Sequence, residues 1–261
     1  MFKKLFVSVI TVAALVTGAN AQADESRIEK IKESGTLRVC TPGDYRPFSM
    51  WNADKNQFEG YDIDVASLLG NELGVKVEFV KSSWPTLMDD LIKDDKCDIS
   101  VGGITQNVNR MLVADFLPAY APSGKVPLIR VKDKAKYTSL AAIDKPNVTV
   151  IVNPGGTNEK FVTANIKQAK VVVHPNNHEI PGLIAEGKGD IMFTDAYEAV
   201  VYGKLDKRVM PAAIKKPLTR ITWMGFMIPA NDNDYSRVMN FVWDEAGRRG
   251  ELKELSKKWL E

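Results

Sequence analysis

Residues 148–161 read VTVIVNPGGTNEKF: a β-branched run, a Pro-Gly-Gly turn, then a polar stretch that opens a helix. Val and Ile favour the extended backbone, so the run is a strand. Pro154, Gly155 and Gly156 stop it, and a helix follows from about Thr157. A strand that feeds a helix through a short glycine turn is half of a βαβ unit. Glycines let the backbone approach a ligand, and the free amides of a helix N-terminus attract an anion. GKS/T is missing and no G-x-G-x-x-G occurs, which argues against a nucleotide. The same residues also fit an ordinary turn with Thr157 as N-cap, and the segment alone does not separate the two readings.

The alternation continues on both sides. Upstream, 36–40, 75–80 and 98–101 read as strands and 62–72 and 84–92 as helices, with Ile63, Ala66, Leu69 and Leu73 at helical spacing before Gly74. Downstream, 171–173 and 190–193 read as strands, 179–186 and 195–202 as helices, 223–228 as a last strand, and 234–248 and 252–260 as closing helices. Strands alternating with amphipathic helices predict an α/β protein with largely parallel sheets. Two such units meet at Pro122-Ser123-Gly124, and the chain returns near 221. The expected organisation is one discontinuous lobe, 22–123 plus 222–261, and one inserted lobe, 124–221. Ligands of such sheets bind outside the carboxyl ends of the strands, which directs attention to the loops 41–49, 102–110, 153–159 and 194–197.

The first residues read as a leader rather than as fold: Lys3 and Lys4, an apolar run over 5–16, and Ala19-Asn20-Ala21 as a cleavage signal. The run is shorter than the roughly 20 residues a membrane span needs, so export with cleavage after Ala21 and a periplasmic location are expected. Cleavage removes two of the 35 basic residues and none of the 33 acids, which leaves the mature chain balanced. A neutral chain gives no electrostatic reason to expect nucleic acid as a partner.

Each loop offers candidates with a plainer alternative beside it. Arg110 ends the run from Gly102 and Gly103 through Thr105 and Asn107; its guanidinium suits a carboxylate, or simply solvent. Tyr45 and Phe48 could wall a ligand or cap the core, and Trp84 beside Pro85 is equally open. Asp195 could receive an ammonium group or cap a helix. His174 and His178 are the only histidines, and neither a carboxylate nor a thiol motif completes a metal site, so no metal and no cofactor are expected. Cys40 and Cys97 fall at opposite ends of two strands taken as parallel neighbours, which favours two buried free thiols over a bridge.

Taken together, GTLRVCTPGDYRPFS (35–49), FEGYDIDVASLL (58–69), CDISVGGITQNVNR (97–110), NPGGTNEKF (153–161) and DIMFTDAYEA (190–199) resemble the periplasmic solute-binding proteins of the polar amino acid type. That resemblance covers nearly the whole mature chain and implies the two-lobed type II fold. It also implies carboxylate binding by Arg110 and Thr157 and amino-group binding by Asp195. Within that superfamily TPGDYRPFS, SSWPTLMDDL, IVNPGGTNEKF, VVVHPNN and KKWLE are similar to the cyclohexadienyl dehydratases, which convert prephenate to phenylpyruvate and arogenate to phenylalanine. Asn107 matches that group as well, whereas Gln106, Val108 and Asn109 depart from it. By this resemblance Glu159 is the general acid, and Tyr45, Phe48 and Trp84 wall the ring. The alternative is a non-catalytic receptor that hands an amino acid or small organic acid to an ABC permease.

Overall fold

The computed structural model describes residues 25–212 and 216–261, so the leader expected over 1–21 lies outside the described residues. One sheet holds, in spatial order, Lys76–Lys81, Thr36–Thr41, Ile99–Ser100, Met227–Pro229 and Ala114–Phe116. Its first three strands are parallel, and Met227–Pro229 enters antiparallel between the last two from the first half of the chain. The second sheet repeats the plan with Lys170–Val173, Thr149–Val152, Ile191–Asp195, Lys125–Arg130 and Val209–Pro211. Here too three parallel strands are extended by antiparallel ones.

Successive residues of a strand face opposite sides, so each sheet is covered twice. Helices Tyr61–Leu73 and Asn233–Arg248 bring Leu69, Tyr235 and Trp243 on to the Val39 face. Helix Leu87–Ile92 brings Leu87 and Leu91 on to the Cys40 face. Helix Tyr61–Leu73 stops where Gly74 takes the left-handed conformation (φ 70°) and closes the last turn on Asn71. Between the sheets the chain crosses twice, through an antiparallel ribbon in which Ala121–Ser123 pairs with Thr222–Met224. A short meander, Asp44–Tyr45, Ser49–Asn52 and Gln57–Glu59, projects from the first sheet toward the second. No helix among the described residues is long and apolar enough to cross a membrane.

Several expectations need correction. Cys40 and Cys97 are joined in a disulfide, with Cα atoms 5.6 Å apart. The register pairs Cys40 with Ser100 and the strand begins only at Ile99. Cys97 therefore lies outside the ladder, in the turn that lowers the chain from helix Leu87–Ile92 on to the sheet, directly over the Cys40 face. The run at 223–228 is two strands, because the chain leaves the ribbon at Met224 and joins the first sheet at Met227. The helix expected from 84 starts at Leu87, Trp84 and Pro85 being spent on a turn. Gly156, not Thr157, is the N-cap of the helix Thr157–Asn165. Apart from the run at 223–228, the antiparallel strands and the helix Arg27–Ser34 were not foreseen.

Candidate functional site

The four loops converge between the sheets. Tyr45, Trp84, Gly103, Thr105 and Arg110 from the first lobe face Thr157 and Asp195 from the second, and Asn153, Gly156 and Asn158 complete the wall. The space they enclose is about 10 Å³, roughly one water. The lobes are thus closed on each other. Tyr45 reaches across to Asp195 (hydroxyl to Oδ2, 2.5 Å), and Asn177 Nδ2 donates to the Asp44 carbonyl at 3.1 Å. Gly155 (φ 87°) sits against Pro85 so closely that a Cβ there would strike the proline backbone.

Arg110 is held from two sides. Its Nη1 donates to the Thr105 carbonyl at 2.6 Å, while Asn107 caps the short helix Val108–Met111 by accepting from the Arg110 amide at 3.1 Å. Among the described residues no carboxylate forms an ion pair with it, and burial lowers its pKa to about 10, against the opposing pull of Asp195. A half-buried cation that meets only a carbonyl among the described residues is a seat for an incoming anion. Gly103 (φ 75°) has Tyr45 and Phe48 ring atoms 2.7 Å from where a Cβ would stand, so only glycine lets these rings pack here.

Three of the ten expected residues do not line the cavity. Phe48 is fully buried behind Tyr45, with ring centroids 6.1 Å apart. Asn107 acts through Arg110, as above. Glu159 folds back on its own turn, where Oε2 accepts from the Gly155 amide at 2.7 Å. That contact is the service a first-turn carboxylate commonly gives a helix.

Two residues the sequence reading passed over stand in this cluster. Lys125, only 6% exposed, donates to Asp195 Oδ2 at 2.8 Å and to Thr157 Oγ1 at 2.9 Å. The acid expected to receive an ammonium group is thus already paired, although its Oδ1 is buried without a partner. Glu198 is fully buried and accepts from Asn177 Nδ2 at 2.6 Å. Its other oxygen meets the Thr194 hydroxyl, which lies 3.4 Å from the Tyr45 hydroxyl. Burial pushes the Glu198 carboxyl well above the usual range, and the charges of Asp44 and Asp195 add to the push. Asp195-x-x-Glu198 at a helix start reads as an ordinary capping box. Here neither acid caps: the Asp195 side chain makes no cap hydrogen bond, and Glu198 turns to Asn177 and Thr194. Among the described residues no group of three His, Cys, Asp or Glu is placed to hold a metal.

Residues 37–261 match the family model of the bacterial extracellular solute-binding proteins, family 3. Cyclohexadienyl dehydratase of Pseudomonas aeruginosa is 39% identical, over 98% of this chain and 94% of its own. The L-cystine-binding protein TcyJ of Escherichia coli is 25% identical, over 96% of this chain and 93% of its own. Among solved structures, the ancestral amino acid-binding protein AncCDT-1, described as a precursor of cyclohexadienyl dehydratase, superposes with a TM-score of 0.83 at 32% identity. That superposition covers 90% of this chain and 100% of the other. This protein therefore belongs to the bacterial extracellular solute-binding proteins, family 3.

Proposed function

We propose that the protein is an exported, periplasmic cyclohexadienyl dehydratase that acts on prephenate and on arogenate, with Glu198 rather than Glu159 as its general acid. The observation that carries the reading is the setting of Glu198: a fully buried carboxyl whose partners among the described residues are Asn177 and Thr194 and no cation, so that burial favours its protonated form. A general acid must be protonated at its working pH. Glu159 is spent on its own turn, where its Oε2 accepts from the Gly155 amide. The 39% identity to a named dehydratase, against 25% to a cystine-binding protein, supports the same reading.

On this reading the lobes turn about the ribbon between 22–123 with 222–261 and 124–221. Opening carries Tyr45 away with the first lobe and leaves Thr194, Asp195 and Glu198 facing the cleft. Arg110 and Thr157 hold a substrate carboxylate, Lys125 adds a second positive charge, and Tyr45 and Trp84 flank the ring. As the ring carboxylate leaves as carbon dioxide, its bonding pair aromatises the ring. The carbon–oxygen bond to the hydroxyl breaks, and the Glu198 proton completes the departing water; solvent then reprotonates Glu198. No cofactor enters the balance. The alternative, a receptor that delivers an amino acid to an ABC permease, is favoured by one feature: the unpartnered Asp195 Oδ1 is free to accept from an ammonium group.

Mixing the purified protein with prephenate near neutral pH and following phenylpyruvate against a protein-free control separates the two. Turnover above the control supports the dehydratase; binding without turnover overturns it in favour of the receptor. Under either reading Arg110→Ala is expected to weaken carboxylate binding by roughly a hundredfold, two charge-assisted hydrogen bonds at about 1.5 kcal/mol each. Thermal stability should hold, because Arg110 has no ion-pair partner to strand among the described residues. Calorimetric titration of the variant with prephenate checks this, and unchanged affinity removes Arg110 from the site.

A further inference from the structure

One buried carboxyl takes no part in that chemistry. Asp62, in the first turn of Tyr61–Leu73, is fully buried. Its Oδ2 accepts from the amides of Gly102 (2.7 Å) and Gly103 (2.8 Å), and its Oδ1 accepts from the Tyr120 hydroxyl (2.6 Å). Both glycines have positive φ, 125° and 75°, so the loop turns its N–H groups inward to Asp62. The far end of the loop is tied to the ribbon: the Gln106 amide donates to the Trp223 carbonyl at 2.8 Å, and the Gly225 amide to the Ile104 carbonyl at 3.0 Å. Tyr120 is tied there too, its amide donating to the Met224 carbonyl at 3.1 Å. Between these anchors lies Thr105, whose carbonyl holds the Arg110 guanidinium.

We propose that Asp62 is a positioning residue for ligand capture: as a carboxylate it grips Gly102 and Gly103 and, through Tyr120, locks that loop to the ribbon, so that Arg110 is best presented when Asp62 is ionised. The inference rests on the reading that Arg110 seats a ligand carboxylate. Burial raises the Asp62 pKa to about 7 against the pull of its three donors, which places the change near neutral pH. The ionisable groups around it are tyrosines, with Tyr61 and Tyr120 against it and Tyr45 and Tyr197 beyond them. Burial pushes all four upward, so they stay neutral through this range. Hydrogen bonds to a charged acceptor are stronger than those to a neutral one, which fixes the direction.

The decisive measurement is hydrogen exchange at the Gly102 and Gly103 amides of the ligand-free protein, expressed as protection over the intrinsic rate from pH 6 to 8.5. Protection is expected to rise about tenfold across this range in the wild type and to stay flat in Asp62→Asn. In Tyr120→Phe, which removes one donor from the carboxylate, the midpoint should move to higher pH. A flat wild-type profile, or an Asp62→Asn profile that follows the wild type, overturns the proposal. Affinity for prephenate, measured over the same pH range, should follow protection. If prephenate does not bind at all, the functional reading fails while the exchange profiles still decide the role of Asp62.

Discussion

Glu198→Gln should lower kcat for prephenate by roughly 10²- to 10⁴-fold, the range expected when a general acid is removed, while binding stays within a few-fold of the wild type. Glutamine suits the site unusually well. Its oxygen can accept from Asn177 Nδ2 as Glu198 does, and its amide can donate to Thr194 Oγ1. It thus copies the protonated acid in every bond and lacks only the transferable proton. The pH profile carries a sign that separates this role from packing. With its folded pKa raised, Glu198 contributes stability that is complete below the carboxylate range and lost as pH rises through the raised value. Wild-type activity should fall over the same rise, whereas the variant should show neither loss. Steady-state kinetics with parallel thermal unfolding from pH 6 to 9 tests both. Glu159→Gln is the control: its contact is with the Gly155 amide on its own turn and not with the Thr194 and Tyr45 hydroxyls, so kcat should change by less than tenfold. Should Glu159→Gln, and not Glu198→Gln, abolish turnover, the assignment reverses.

The second large effect concerns the covalent bond. Replacing Cys40 and Cys97 together by alanine should cost roughly 4 kcal/mol, since the bridge closes a 57-residue separation that an unfolded chain would otherwise explore freely. Thermal unfolding should then drop by about 8–16 °C for a chain of this size. In denaturant titrations the m-value should increase, because the uncrosslinked unfolded state is more open. Ligand binding should change little, as the bond lies on the Leu87 and Leu91 side of the sheet, away from the cavity. Equal stability of the two proteins would mean that the bridge contributes nothing to the folded state.

The expectation of free thiols failed for an instructive reason. The strand read over 98–101, with Cys97 at its start, begins in the structure only at Ile99, although Cys97 and Asp98 are just as buried. Burial is shared by a strand and by the turn that leads into it, and periodicity cannot tell them apart. The parallel halves of both sheets were legible, because 36–41, 76–81, 149–152 and 170–173 are β-branched runs punctuated by glycine or followed by amphipathic helices. Of the antiparallel additions only Met227–Pro229 was read, in part, within the run 223–228. Lys125–Arg130 is buried at all six positions although it begins with Lys and ends with Arg, charges that tertiary partners satisfy and composition does not announce. The site shows the same split: Tyr45, Arg110, Thr157 and Asp195, which line the cavity, stood out by residue type and placement after strands, whereas the buried residues behind them did not. Lys125 was passed over because nothing local says that a lysine opening a strand will be buried against Asp195, and Glu198 hid inside a capping pattern, since nothing local says that a first-turn acid will be turned inward.

The position of Met227–Pro229 in the first sheet sets an order in time. Synthesis delivers Thr36–Thr41, Lys76–Lys81, Ile99–Ser100 and Ala114–Phe116 early, but the strand that joins the last two is more than a hundred residues away. The second sheet, drawn entirely from 125–211, can close while the first still has a gap with unpaired edges at Ser100 and Phe116. Such edges invite pairing with other chains. Cys40 and Cys97 both belong to the early part, so oxidation can staple the half-built sheet to its covering turn long before the missing strand emerges.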